Sequence, residues 1–108
     1  MTDAEFESLA DGTLSVLERA LDGAALDADV LAKGTGLLEV EFADGAKIVI
    51  NRHTAAREIW VAAKSGGFHF RPANGGWRDT RDGGELFAAL SRLVSAHSGT
   101  PVILAPGG

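Results

Sequence analysis

The sequence predicts an α+β fold, a two-layer sandwich with two helices packed on one face of an antiparallel sheet of about six strands. Three observations carry this. Apolar residues recur at spacings of three and four near each end of the chain, they alternate with polar residues through the middle, and the alternating segments are joined by connections of hairpin length. Hairpins make neighbouring strands antiparallel, and two amphipathic helices suffice to cover only one face of such a sheet. The other face is expected to stay open to solvent.

The first helix is expected over residues 3 to 22, where Phe6, Leu9, Ala10, Thr13, Val16, Leu17, Ala20 and Leu21 form the apolar stripe. Thr2 followed by Glu5 has the form of a capping box, and Gly23 that of a C-terminal stop. Gly12 costs about 1 kcal/mol relative to Ala, so packing must hold this helix. Its opposite face carries Glu7, Asp11, Glu18 and Asp22 in one stripe. From Leu26 the period becomes two, with Leu26, Ala28 and Val30 facing one way. Asp27, Asp29 and Leu31 face the other, so Asp27 and Asp29 continue the acidic surface onto the first strand.

Leu38, Val40 and Phe42 alternate with Glu39 and Glu41, and Ile48 and Ile50 follow the Ala43-Asp44-Gly45 connection. A two-residue turn would set Glu41 opposite Ile48. A longer loop with Gly45 left-handed pairs Val40 with Ile48 and Glu41 with Lys47, keeping one apolar face, and is the expectation. The strand from Glu58 to Lys64 buries Ile59, Val61 and Ala63 and leaves Trp60 on the open face with Asn51. Gly66-Gly67 then turns the chain into Phe68-His69-Phe70-Arg71, and Pro72 to Gly76 turns it again before Trp77-Arg78. Asp82 with Glu85 marks the start of a second helix with the stripe Leu86, Phe87, Leu90, Leu93, Val94 and His97, ended by Gly99 and Pro101. The apolar tail after it is expected to fold back over the groove between the helices, burying Val102, Ile103 or Leu104.

At 108 residues, 45% hydrophobic and 23% charged, the chain is expected to form a single domain over 1–108. Its net charge of −5 is unevenly spread: eight of the fifteen carboxylates lie in the first 32 residues, where Arg19 is the one base. The rest holds seven acids and nine bases with no basic cluster, which argues against nucleic acid and for a cationic partner. No apolar run approaches the length of a membrane span, and the acidic start does not resemble a targeting signal, so a cytoplasmic protein is expected. With no cysteine, any metal must be held by oxygen or imidazole. No nucleophile elbow, P-loop or dinucleotide fingerprint occurs, and His53, His69 and His97 are dispersed, after a strand, on the outer sheet face by parity and at a helix end, so no enzyme is expected. Trp77 is expected to pack against the sheet end or the loops, and His97 to favour its helix end through the macrodipole.

Ile50-Asn51-Arg52, Ile59-Trp60-Val61-Ala62, Gly66-Gly67-Phe68-His69-Phe70 and the opening Glu5-Phe6…Leu9-Ala10-Asp11 together resemble the frataxin family in its bacterial CyaY form, from Met1 to about Gly99. The resemblance implies a protein that binds iron weakly through surface carboxylates and regulates iron–sulfur cluster assembly, engaging the cysteine desulfurase and its scaffold protein. It implies a monomer, with oligomers forming in excess iron. An iron storage or detoxification protein with weak ferroxidase activity is the alternative.

Glu7, Asp11, Glu18, Asp22, Asp27 and Asp29 are the candidate iron ligands, since uncaged carboxylates suit Fe²⁺ or Fe³⁺ bound loosely with water retained. Without the resemblance, the same stripe reads as a solvated helix face. Asn51, Arg52 and Trp60 are the candidate partner contacts, because the family uses the equivalent face for its partners and exposed Trp and Arg are enriched at binding hot spots.

Overall fold

Helix α1 runs from Asp3 to Asp22 in the computed structural model, which describes residues 1–106. Thr2 and Glu5 close the capping box in both directions. Phe6, Ala10, Leu14, Leu17 and Leu21 are buried, whereas Leu9 is 42% exposed. The face is thus rotated towards Leu14, which the sequence stripe omitted. The helix stops at Gly23, yet Gly23 is right-handed and the left-handed turn falls on Ala25 (φ 52°).

Six strands follow as a meander in which each pairs antiparallel with the next: β1 Ala28–Ala32, β2 Leu37–Phe42, β3 Lys47–His53, β4 Glu58–Ala63, β5 Gly66–Ala73 and β6 Gly76–Asp79. Helix α2, Leu86–Ser98, returns across the sheet. The β2–β3 loop has Gly45 at φ 88° and pairs Val40 with Ile48 and Glu41 with Lys47, as the alternation required. A short 3-10 turn, Thr54–Ala56, joins β3 to β4.

The boundaries of β5, of the hairpin after it and of α2 differ from the sequence reading. Gly66 and Gly67 lie within β5, paired with Ala63 and Ala62, so the turn falls on Lys64-Ser65. Strand β5 continues through Pro72 to Ala73, and Asn74-Gly75, both at positive φ, make the next hairpin turn. At α2 the N-cap is Glu85, which accepts from the Phe87 and Ala88 amides, while Asp82 caps only the Gly84 amide before it.

The core lies between the helices and the inner sheet face: Phe6, Leu17 and Leu21 of α1 and Leu86, Leu90 and Val94 of α2 meet Leu38, Val40, Ile50, Ile59, Val61 and Phe70. Trp77 belongs to this core rather than to the loops. It meets Phe6 edge-on at 5.8 Å and donates its indole N–H to Thr13 Oγ1 at 2.8 Å. His97 does more than sit at a helix end, since its Nε2 lies 3.0 Å from Asp44 of the β2–β3 loop and its ring packs on Phe42. The tail folds back along α2. The Val102 and Leu104 amides donate to the Ser95 and Ser91 hydroxyls, Leu104 is buried, and Ile103 is left 88% exposed.

Candidate functional site: acidic flank and open sheet face

The eight N-terminal carboxylates meet two different fates. Over the first half of α1 they are tied down. Asp3 is ion-paired with Arg57, Glu5 accepts the Thr2 amide, Glu7 accepts the Thr54 hydroxyl at 2.8 Å, and Asp11 holds Arg52 at 2.7 Å. The glycine at position 36 makes the Asp11–Arg52 pair possible: a Cβ there would stand 2.5 Å from Arg52 Nε, so only the bare backbone lets the guanidinium lie across it. Glu18, Asp22, Asp27 and Asp29 have no ion-pair or hydrogen-bond partner for their side chains among the described residues, and Asp22, Asp27 and Asp29 are exposed. Asp27 lies in the bend before β1 rather than in the strand. Glu41, which the sequence reading left out of this set, stands opposite Asp29 in register, and with Asp27 they line one shallow hollow. Strand parity and the β1–β2 pairing were the signal.

Among the described residues no three carboxylate or imidazole groups converge to cage a metal ion. The flank supplies charge and oxygen donors rather than a formed site, which fits a hydrated, loosely held hard cation.

On the uncovered face, register pairs Asn51 with Trp60 and Trp60 with His69, so these residues line up across β3, β4 and β5. The indole is stacked between two imidazoles, at 3.8 Å from His53 and 4.6 Å from His69. Its N–H donates to Glu58 Oε1 at 2.8 Å, and Arg71 Nε donates to Glu58 Oε2 at 2.9 Å. Burial pushes the Glu58 carboxyl up, but these two bonds and the His69 and Arg71 charges outweigh it and hold the group below the usual glutamate range. Glu39, also buried, is balanced in the same way: burial raises it, and Lys33 and Lys47 lower it further.

Arg52 does not join Asn51 and Trp60. It pairs in register with the inward-facing Ile59, and its guanidinium reaches α1, where it fastens the helix to the end of β3. Asp11 Oδ1 and His53 Nδ1 are buried without a hydrogen-bond partner among the described residues.

The model of the frataxin-like domain matches residues 1–100. The chain belongs to the frataxin-like family. Among its relatives, the iron–sulfur cluster assembly protein CyaY of Dechloromonas aromatica is 48% identical, over 96% of this chain and 99% of that protein. The protein of the same name from Ralstonia nicotianae is 49% identical over 96% of this chain and 95% of its own. The frataxin of Psychromonas ingrahamii superposes with a TM-score of 0.89 at 31% identity, covering 97% of this chain and 99% of that one. The trimeric frataxin of Saccharomyces cerevisiae, complexed with ferrous iron, gives a TM-score of 0.66 at 25% identity over 93% of this chain and 88% of its own. The Psychromonas ingrahamii frataxin thus shares the fold of this chain, two helices on an open six-stranded antiparallel sheet.

Proposed function

We propose that this frataxin-like protein serves iron–sulfur cluster assembly as a non-enzymatic regulator that binds iron weakly and engages the cysteine desulfurase and its scaffold. The relatives named for that assembly support the pathway. The observation that carries the reading further is the pair of separate surfaces, an unpaired acidic flank and an open sheet face bearing Asn51 and Trp60. The flank, through Glu18, Asp22, Asp27 and Asp29, attracts hydrated iron or a basic patch of the desulfurase, while Asn51 and Trp60 meet the scaffold side. Glu7 and Asp11 add field to the flank, and Arg52 fixes the helix that carries it.

Titration of the protein into purified desulfurase, with and without scaffold, tests this. Saturable binding that weakens as salt rises is expected, since exposed charges are screened over about 8 Å at physiological ionic strength. No binding in either mixture would overturn it. The trimeric, ferrous-complexed yeast frataxin favours one other reading, iron storage through metal-driven assembly. Iron titration followed by sizing separates the two: a monomer throughout supports regulation, and large iron-filled particles support storage.

A further inference from the structure

We propose that Glu58 is the positioning residue for Trp60, and that the open face presents the edge of a three-ring ladder, His53–Trp60–His69, to an acidic segment of its partner. This rests on the reading of that face as the scaffold-side contact. Both faces of the indole are already occupied: His53 lies 11° and His69 12° from parallel with it. Nothing can stack on Trp60 without displacing an imidazole, so a partner meets ring edges.

Glu58 holds the ladder together. One of its oxygens, Oε1, takes the indole N–H and lies 3.2 Å from His69 Nδ1, while the other takes Arg71. A carboxylate only 5% exposed is costly on a solvent-facing sheet unless it is satisfied, and here every neighbour that satisfies it is a side chain of the contact surface. With its N–H bonded and both faces stacked, the indole has no torsion left to lose on binding, which is how a rigid contact gains affinity.

Chemistry of the surface selects the partner. Aromatic edges carry the positive end of the ring quadrupole. Beside the ladder lie Arg71, whose side chain is largely exposed, and its register partner Arg78 on β6. Carboxylate and carbonyl oxygens complement both. This protein therefore offers two recognition surfaces of opposite sign: the acidic flank for a basic patch and the ladder with its arginines for an acidic one.

The test uses the full chain, ¹⁵N-labelled, and the purified desulfurase–scaffold complex as probe. Trp60 and Trp77 give two indole N–H resonances, assigned with Trp60→Phe. In Glu58→Leu the Trp60 indole N–H is expected to exchange with solvent at least about tenfold faster and affinity to fall up to about tenfold, the scale of freeing one large side chain. Glu58→Gln keeps an acceptor oxygen and is expected to restore both to within about twofold. In a Trp60→Phe background, Glu58→Leu should cost nothing more. Unchanged indole exchange in Glu58→Leu, or an equal further loss of affinity without Trp60, overturns the positioning role. Arg78→Glu should weaken the complex, and strengthening overturns the acidic partner. Full affinity in Trp60→Phe overturns the open-face reading itself, while the exchange measurement still decides for or against Glu58.

Discussion

The two halves of the acidic N-terminal region contain four carboxylates each and do opposite things. Asp3, Glu5, Glu7 and Asp11 are spent on architecture: the first cap of α1, the 3-10 turn and the guanidiniums of Arg52 and Arg57. Glu18, Asp22, Asp27 and Asp29 are spent on nothing within the described residues. Glu18 and Asp22 stand one helical turn apart and repel, so the second quartet is expected to cost stability that a bound cation or basic partner would return. A carboxylate stripe on a helix wheel is therefore not one surface. What divides it is where the rest of the chain supplies partners.

The largest effect should come from the free half. Converting Glu18 and Asp22 together to Lys is expected to weaken desulfurase binding about 100-fold at low salt, through loss of charge complementarity. The melting temperature should hold or rise. Unchanged binding in a calorimetric titration would show that the free acids are ordinary solvated charge.

In the tied half the cost should fall on stability instead. Arg52→Ala strands Asp11, whose Oδ1 already lacks a partner, and is expected to destabilise the fold by about 1.5–3 kcal/mol in urea unfolding. Desulfurase affinity should stay within about twofold, provided the folded fraction is corrected for. A loss of affinity exceeding the loss of stability would return Arg52 to the partner contacts.

The same division shows what the sequence can and cannot disclose. Period-two alternation put Trp60, Asn51 and His69 on the open face and chose the β2–β3 loop with its register, because a one-residue slip would have moved charge into the core. The apolar tail was legible because Val102 and Leu104 have nowhere else to go. The fates of Glu7 and Asp11 were not legible: Thr54 and Arg52 lie 47 and 41 residues away, and how α1 crosses the end of β3 is a tertiary fact. The ladder was half legible. Parity places Trp60 and His69 on one face, but His53 reads from sequence as lying after the strand, whereas β3 runs through it and sets it diagonally to Trp60, within stacking distance.

Truncation after Gly99 removes the Leu104 anchor and no acidic residue, and serves as a control on the comparison. It should cost about 1–2 kcal/mol, the burial of roughly one Leu side chain less the entropy of ordering the tail. Affinity for the desulfurase should not change. Hydrogen exchange reports it directly, since the Val102 and Leu104 amides are bonded to Ser95 and Ser91 and should be protected in the intact chain.

The smallest effect concerns pH. Glu58 is held below the ordinary glutamate value of 4.5, so its folded-state advantage is present above that value and is lost as pH falls through its depressed one. Wild-type unfolding free energy should therefore drop more steeply on acidification below that value than that of Glu58→Gln. Parallel slopes would show that the bonds from Trp60 and Arg71 do not favour the ionised form.

The division between tied and free carboxylates is tested most directly by neutralising each quartet with its isosteric amides and measuring desulfurase affinity and unfolding free energy for both. The two variants change net charge equally. Amides at 18, 22, 27 and 29 should abolish most of the binding while holding or raising stability; amides at 3, 5, 7 and 11 should lower stability and leave most of the binding. Equal losses of affinity from both quartets would contradict the division, because they would mean that only total charge, and not where the fold leaves it unpaired, directs the partner.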